Sequence, residues 1–202
     1  MIICYNIFMI SCILLSAGLS SRFGSPKALA KINGETVIEH LLKILLTLPL
    51  NEMIVVLGAD AEKIKSCILN HKKVKVVHNK DYNLGQTSSF KAGLKRCSSA
   101  SAGVMLLPVD YPLIKKETFE ELIKYFLERK PAALVPTHEG RKGHPPLFSS
   151  SLKKEFLGLQ NSLGINTVIQ NHPETILFPV SDRGVIETFN TKEEWQKVKV
   201  IF

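Results

Sequence analysis

The feature that most constrains the fold is an alternation between short apolar segments and longer segments of helical periodicity. Short runs rich in β-branched residues predict strands at 9–15, 53–57, 74–77, 104–107, 132–135 and 176–180. Amphipathic spacing predicts helices at 36–48, 61–70, 88–97, 117–129 and 192–200. The run at 104–107 has no polar face, which is typical of a strand covered on both sides. The alternation therefore predicts an open, mostly parallel α/β sheet with helices on both faces.

The length of the chain bounds the number of domains. A chain of 202 residues can bury one substantial core but is short for two, so we expect a single domain over residues 1–202. The first fifteen residues are nearly all apolar and are followed by small residues, as in a signal peptide. No Lys or Arg precedes Arg22, however, and the run is too short to span a membrane. We interpret it as a buried first strand preceded by an N-terminal extension over residues 1–8.

The net charge and the cysteine content indicate which classes of partner and which cellular compartment to expect. The formal net charge of +8 suits an anionic partner, but the basic residues are dispersed and form no strip interleaved with aromatic residues. Neither nucleic acid nor a membrane is therefore expected as a partner. The four cysteines form no CxxC pair and no zinc-ligand spacing, which favours reduced thiols in the cytoplasm and no structural metal.

A glycine-containing loop follows the first predicted strand directly. Residues 14–27 read LLSAGLSSRFGSPK, so small residues let backbone amides approach a ligand while Arg22 and Lys27 supply two cations. These properties predict a phosphate cradle. The spacing of Gly18 and Gly24 excludes both a P-loop and a GxGxxG dinucleotide motif. A flexible surface connection with two solvated cations is the alternative interpretation.

Asp110 follows the most apolar predicted strand, within the sequence PVDYP. Ligands of open α/β sheets bind at the carboxyl ends of the strands, where a carboxylate can hold a divalent cation on substrate phosphates. An aspartate before Pro112 can also cap a turn. The phosphate cradle predicted at the same sheet edge favours the metal-binding role.

A third polar segment, NLGQTSS at residues 83–89, opens a predicted helix. Gly85 and the Gln86 amide offer donors and an acceptor to a nucleobase or a phosphate at the helix N-terminus. Thr87 or Ser88 can cap the same helix, and the two roles are compatible.

In this order, the three segments resemble the MobA-like nucleotidyltransferase family, and most closely its molybdenum cofactor cytidylyltransferases. The opening signature of that family, L-x-A-G-x-S-x-R-x-G-x-x-K, is matched at Leu15, Ala17, Gly18, Ser20, Arg22, Gly24 and Lys27. Gly143-His144-Pro145 matches the family's Gly-His-Pro loop. Residues 184–195 align without gaps on the family's pattern G-V-L-x-D-I-D-T-P-E-D-L. The resemblance covers nearly the whole chain and implies a three-layer αβα Rossmann-like fold.

The resemblance also implies a reaction, in which a nucleoside monophosphate passes from an NTP to a phosphate-bearing acceptor and pyrophosphate leaves. It implies catalytic roles for Arg22, Lys27 and Asp110, a Mg²⁺ or Mn²⁺ ion on Asp110 and Asn190, and a substrate-side position for His144. The nucleotide-binding residues that it implies are Leu15, Ala17, Gly18, Arg22, Lys27, Gly85, Gln86, Thr87 and Ser88. CTP is favoured over GTP, molybdopterin is the expected acceptor, and a molybdoenzyme client is a further partner.

Two departures from the family pattern bear on these roles. Asn190 and Thr188 stand where the family usually has two aspartates, so the metal site loses negative charge and we expect weaker metal binding. Residues 161–166 replace the cytidylyltransferases' usual Gly-Asp-Lys-Gly-Ala-Arg-like loop and keep only Gly164. The alternatives are a guanylyl- or other small-molecule nucleotidyltransferase of the same fold and a non-catalytic nucleotide-binding accessory protein.

Overall fold

The chain folds around one large sheet, seen in a computed structural model that describes residues 10–170 and 172–201. The strands are Ile10–Ser16 (β1), Lys31–Ile32 (β2), Glu35–Thr36 (β3), Leu50–Leu57 (β4), Val74–His78 (β5), Gly103–Pro108 (β6), Ala133–His138 (β7), Arg141–Lys142 (β8), Leu147–Ser149 (β9) and Thr175–Pro179 (β10). The helices are Val37–Leu46 (α1), Ala61–Lys65 (α2), Gln86–Arg96 (α3), Lys116–Arg129 (α4), Lys153–Gly158 (α5), Asn166–Ile169 (α6) and Lys192–Lys199 (α7).

The strand order of the eight-stranded sheet is β10-β7-β9-β6-β1-β4-β5, with β8 paired to β7. Strand β1 pairs in parallel with β4 on one side and with β6 on the other. The next strands of this sheet after β1, β4 and β5, thus lie on one side of it, and the later strands β6, β7, β9 and β10 lie on the other side. Such a reversal opens a crevice at the carboxyl end of the central strand, where ligands bind in α/β sheets.

Helices cover both faces of the sheet, as the sequence predicts. One core contains apolar residues of α1, α4 and α7, and the other contains residues of α3, α5 and α6. Residues of β1 alternate between them, with Leu14 in the first core and Ile13 and Leu15 in the second. The αβα Rossmann-like fold class is confirmed.

Several element bounds differ from the prediction. Strand β4 begins at Leu50 rather than residue 53, because the polar Asn51 and Glu52 interrupt the apolar pattern without ending the pairing with β1. Helix α2 ends at Lys65, five residues before its predicted end. Strand β9, a short antiparallel strand between β7 and β6, was not predicted, because its three residues are too few for a periodic signal.

Part of the N-terminal prediction lies outside the described residues: the extension at 1–8, Met9 and Cys4. Cys12, Cys67 and Cys97 are free thiols, and burial raises the pKa of Cys12 and Cys97 well above the ordinary thiol value. Within the described ranges, the structure has no helix of the length and apolarity that a membrane crossing requires.

Candidate active site

A cleft of about 440 Å³ opens at the carboxyl ends of β1 and β6. Three segments of the sequence prediction meet there: the loop after β1, the turn before α3 and the segment after β6. Asn190, from the connection between β10 and α7, completes the wall. Of the predicted residues, those lining the cleft are Leu15, Ala17, Gly18, Arg22, Lys27, Gly85, Gln86, Asp110 and Asn190.

Lys27 lies at the centre of the polar wall. Its Nζ donates to Asp110 Oδ2 at 2.7 Å and to Asn190 Oδ1 at 2.9 Å. The Lys27 ammonium also lies 5.5 Å from the centroid of the Phe189 ring. Arg22 Nη2 donates to the same Asn190 oxygen at 3.1 Å. Two cations, one carboxylate and one amide therefore converge, and the group carries a net positive charge suited to polyphosphate.

The contacts of Asp110 distinguish between its two predicted roles. The carboxylate faces Lys27, and the turn after β6 is closed by the backbone, with the Tyr111 amide donating to the Pro108 carbonyl at 3.4 Å. Among the described residues, no hydrogen bond from a turn amide to the Asp110 side chain occurs. This arrangement favours a role in the cleft over turn capping.

Backbone geometry shapes the loop after β1. Ser20 and Gly24 have φ values of 51° and 77°, and the amides of Phe23 and Gly24 donate to the Ser20 carbonyl at 2.9 and 3.0 Å. This tight turn exposes Arg22, while the buried Phe23 ring contacts Phe189 edge-on. The loop is thus anchored to the segment that carries Asn190, which contradicts a flexible surface connection.

The turn before α3 depends on a glycine in the left-handed region. Gly85 has a φ of 97° and precedes Gln86, the first residue of α3. The N-cap residue, Gly85, supplies no capping side chain, and Gly85 and Gln86 both line the cleft, so the N-terminus of α3 lies beside it. Such a helix end favours a negatively charged or carbonyl-bearing ligand.

Two predicted nucleotide-binding residues lie off the cleft. Thr87 Oγ1 donates to the Leu163 carbonyl at 2.7 Å, and Ser88 Oγ donates to the carbonyls of Asp81 and Gly85. Both side chains are buried, since the helix turns them toward the protein interior. Ser89, one position further along α3, lines the cleft instead.

His144 also lies behind the cleft wall. Its ring centroid is 4.4 Å from that of Tyr111, its backbone amide donates to the Val185 carbonyl, and its Nδ1 is buried without a hydrogen-bond partner. Burial lowers the pKa of His144, opposed by the charge of Asp110 and a hydrogen bond to Leu106. Burial thus favours the neutral imidazole, and the side chain does not line the cleft.

Three lining residues, Ala28, Ile64 and Tyr82, lie outside the segments that the sequence patterns assigned to the site. Tyr82 is placed by Gly58, because a Cβ at position 58 would lie 2.5 Å from the Tyr82 Cβ. An aromatic residue before the NLGQTSS segment was the available signal for Tyr82. Ile64 carries no such signal, because its apolar side chain fits the core of α2 equally well.

The oxygens of Asp110 and Asn190 are suited to a divalent cation. Lys27 Nζ contacts Asp110 and Asn190 together, so their oxygens converge on one point, and carboxylate and amide oxygens are suitable ligands for Mg²⁺ or Mn²⁺. Over the described residues, no cluster of three or more His, Cys, Asp or Glu side chains offers a complete protein cage. The pair therefore fits a cation that takes its remaining ligands from substrate phosphates and water.

Fold and cleft together define a Rossmann-like α/β protein with a positively charged cleft at the topological switch point. The chain belongs to the MobA-like NTP transferase family, whose domain model matches residues 12–176. This finding confirms the family resemblance.

Relatives of known name include proteins with two base specificities. A probable molybdenum cofactor guanylyltransferase of Bacillus cereus is 33% identical over 132 residues, 64% of this chain and 62% of that protein. The molybdenum cofactor cytidylyltransferase of Escherichia coli is 29% identical over 140 residues, 69% of this chain and 70% of that protein. The match to the first relative thus spans less than two thirds of its length.

Solved structures support the fold over nearly the whole chain. A protein from Mycobacterium sp. strain JC1 has a TM-score of 0.83 at 23% identity, covering 95% of this chain and 96% of its own. A Mycobacterium tuberculosis protein crystallised as a manganese complex has a TM-score of 0.75 at 20% identity, covering 96% of this chain and 100% of its own.

Proposed function

We propose that this protein is a nucleotidyltransferase that transfers a nucleoside monophosphate, with CMP favoured, from an NTP to a phosphate-bearing acceptor. The observation that carries the proposal is the convergence of Lys27, Arg22, Asp110 and Asn190 beside the glycine loop and the N-terminus of α3. Such a cleft can hold a triphosphate by its charge and a base by backbone groups. Membership of the MobA-like family supports the same activity.

In the proposed reaction, an oxygen of the acceptor phosphate attacks the α-phosphorus of the NTP. A new phosphorus–oxygen bond forms, the bond between the α-phosphorus and its bridging oxygen breaks, and pyrophosphate leaves. This chemistry depends on positioning and charge neutralisation rather than on a covalent nucleophile. Lys27 and Arg22 are the residues that would neutralise charge on the leaving pyrophosphate.

Asp110 and Asn190 would hold a divalent cation on the bound phosphates. When bound, such an ion polarises phosphate oxygens and neutralises developing negative charge. A manganese-bound structural neighbour supports a divalent metal, and the oxygen ligands are compatible with Mg²⁺ as well.

The proposed base and the proposed acceptor are supported by different observations. The SAG opening and the PVDYP segment favour CTP, because both resemble the cytidylyl branch of the family. Molybdopterin is the proposed acceptor, and a molybdoenzyme is a proposed client, because relatives with both base specificities are named for the molybdenum cofactor.

The test is pyrophosphate release from each of the four NTPs with Mg²⁺ or Mn²⁺, with and without molybdopterin. We expect release that requires both CTP and molybdopterin and that is lost in Asp110→Asn. The matched control is Asp81→Asn, which changes an exposed aspartate outside the cleft. Tight CTP binding without pyrophosphate release under all conditions would instead support the accessory-protein alternative.

A further inference from the structure

We propose that the Lys27 ammonium occupies the divalent-cation position of the nucleotide-free protein, so that metal binds only together with the nucleotide. This inference rests on the proposed function, in which the nucleotide phosphates give the ammonium new acceptors. It assigns to Lys27 a second role, in the order of ligand binding.

The contacts of Lys27 support this role. Two of its three N–H groups are directed to the two oxygens that would ligate the metal, at 2.7 and 2.9 Å. The side chains of Lys27 and Asp110 are only 13% and 21% exposed, so solvent screens the pair weakly. The Phe189 ring adds cation–π attraction at 5.5 Å from its centroid. The ammonium is thus held in place by three groups.

The charge of the site opposes a divalent ion while the ammonium is there. Asp110 is the carboxylate that contacts the Lys27 ammonium, and Arg22 donates to the same Asn190 oxygen as Lys27 does. A divalent ion would have to share both oxygens with Lys27 and lie beside two positive charges. Like charges at such short distances repel strongly under the weak screening of a partly buried site. Metal binding therefore requires the ammonium to leave.

A bound triphosphate removes this obstacle. Its oxygens accept hydrogen bonds from Lys27 and Arg22, and its negative charge reverses the sign of the site. Asp110 and Asn190 then face the phosphates with free lone pairs. Position 190 holds an amide, and Asp110 is the one carboxylate among the described residues that line the cleft. The described part of the site therefore offers no second carboxylate that could hold the metal beside the ammonium.

The experiment measures Mn²⁺ binding to the nucleotide-free protein by the loss of the free Mn²⁺ electron paramagnetic resonance signal. Lys27→Met keeps the length of the side chain and removes its charge. We expect Lys27→Met to bind Mn²⁺ at least about tenfold more tightly than the wild type, since both oxygens are released. Lys116→Met is the control, because it removes an exposed lysine whose partner is Glu120 on α4. We expect its Mn²⁺ affinity to equal that of the wild type.

Two further measurements test whether the gain in Mn²⁺ affinity depends on Asp110 and whether Mn²⁺ binding to the wild type depends on CTP. The double variant Lys27→Met with Asp110→Asn should lose the gain, since the remaining carboxylate is gone. In ultrafiltration with an equimolar mixture of Mn²⁺ and CTP, the wild-type protein should retain both ligands, whereas without CTP it should retain little Mn²⁺. Circular dichroism and thermal melting verify that each variant is folded, and Lys27→Gln replaces Lys27→Met if that variant is not.

Equal Mn²⁺ affinity in the wild type and in the folded Lys27 variant would overturn the proposal. So would a wild type that binds Mn²⁺ without CTP as tightly as with it. The first measurement uses no nucleotide and no acceptor, so it is separate from the test of nucleotidyl transfer. A protein that fails to release pyrophosphate can still show the Lys27 effect, and an active protein can lack it.

Discussion

At the scale of single residues, the cleft depends on a small number of charged contacts. Lys27 contacts both proposed metal ligands and lies over Phe189, so its charge is the most strongly positioned one in the site. Arg22 is more exposed, and its guanidinium donates to the Asn190 amide oxygen. Loss of the Lys27 charge should therefore affect catalysis more than loss of the Arg22 charge.

The first prediction follows from this difference. Lys27→Ala should lower kcat/KM for nucleotidyl transfer by roughly 10²-fold or more, the scale for one lost contact to charge that develops in a transition state. Initial rates of pyrophosphate release at varied CTP measure the effect, with Lys116→Ala as a control of equal charge change. A loss of less than about threefold would show that Lys27 is outside the reacting site.

The second prediction concerns Asn190. Asn190→Asp adds a negative ligand, so once the nucleotide phosphates hold Lys27, the Mg²⁺ concentration for half-maximal activity should fall. Asn190→Ala should raise that concentration, because it removes the oxygen. Activity is measured against Mg²⁺ at saturating CTP for the wild type and both variants. A common midpoint for the three curves would mean that residue 190 does not contact the metal.

At the scale of secondary structure elements, one buried carboxylate fixes the segment that carries Asn190. Asp182 accepts hydrogen bonds from the Lys115 amide at 2.9 Å, the Thr118 hydroxyl at 2.7 Å and the Gly184 amide at 2.9 Å. Helix α4 has no capping side chain at its own N-cap residue, so Asp182 caps it from 64 residues away. The approach is close, since a Cβ at Gly184 would lie 2.4 Å from the Leu113 carbonyl oxygen.

The third prediction uses this cap. Asp182→Ala leaves three donors without their acceptor, and we expect a loss of about 2–4 kcal/mol in the free energy of unfolding. Thr118→Val removes one of these donors and should cost less. Urea denaturation measures both losses. Because Asn190 lies eight residues along the same segment, Asp182→Ala should also raise the Mg²⁺ requirement at temperatures where it stays folded. An unchanged unfolding free energy would contradict the capping role.

Local periodicity made most of the main elements predictable from the sequence. The apolar runs gave β1, β5, β6 and β10 to within one residue at each described end, and the spacing of Phe119, Leu122, Ile123 and Phe126 gave α4 in the same way. The Asp182 cap was not predictable, since it depends on pairing between distant segments that no local pattern records. The burial of the Thr87 and Ser88 side chains was not predictable for a related reason: a motif identifies the segment near a ligand but not which side chain faces it.

At the scale of the whole molecule, the two ends of the sheet have different roles. The carboxyl end carries the cleft. At the amino end, Glu52 accepts hydrogen bonds from the Ser11 hydroxyl at 2.8 Å and the Ser98 amide at 2.6 Å, and forms an ion pair with Lys75. This cluster joins β1, β4 and β5 to the turn before β6, far along the strands from Asp110. Its loss should change stability without changing the chemistry of the cleft.

The last prediction concerns the pH dependence of stability. Burial raises the pKa of Glu52, but hydrogen bonds from Lys75, the Ser98 amide and Ser11 together lower it more, so the pKa lies below its ordinary value of 4.5. A carboxylate whose pKa is lower in the folded state than in the unfolded state stabilises the protein above the unfolded pKa. That stabilisation is lost as the pH falls through the folded pKa. The contribution of Glu52 is therefore present at neutral pH and disappears in acid.

Glu52→Gln removes this titration. The variant should be less stable than the wild type near pH 7, and its free energy of unfolding should fall less steeply between about pH 5 and pH 3. Urea denaturation across that range measures the difference, and Glu128→Gln, at an exposed position on α4, is the control that should follow the wild-type curve. The rate of pyrophosphate release at pH 7 should equal that of the wild type at temperatures where both are folded. Parallel stability curves for Glu52→Gln and the wild type would mean that another carboxylate governs the acid transition. A lower rate of pyrophosphate release by Glu52→Gln at pH 7 would mean that the amino end of the sheet is coupled to the cleft.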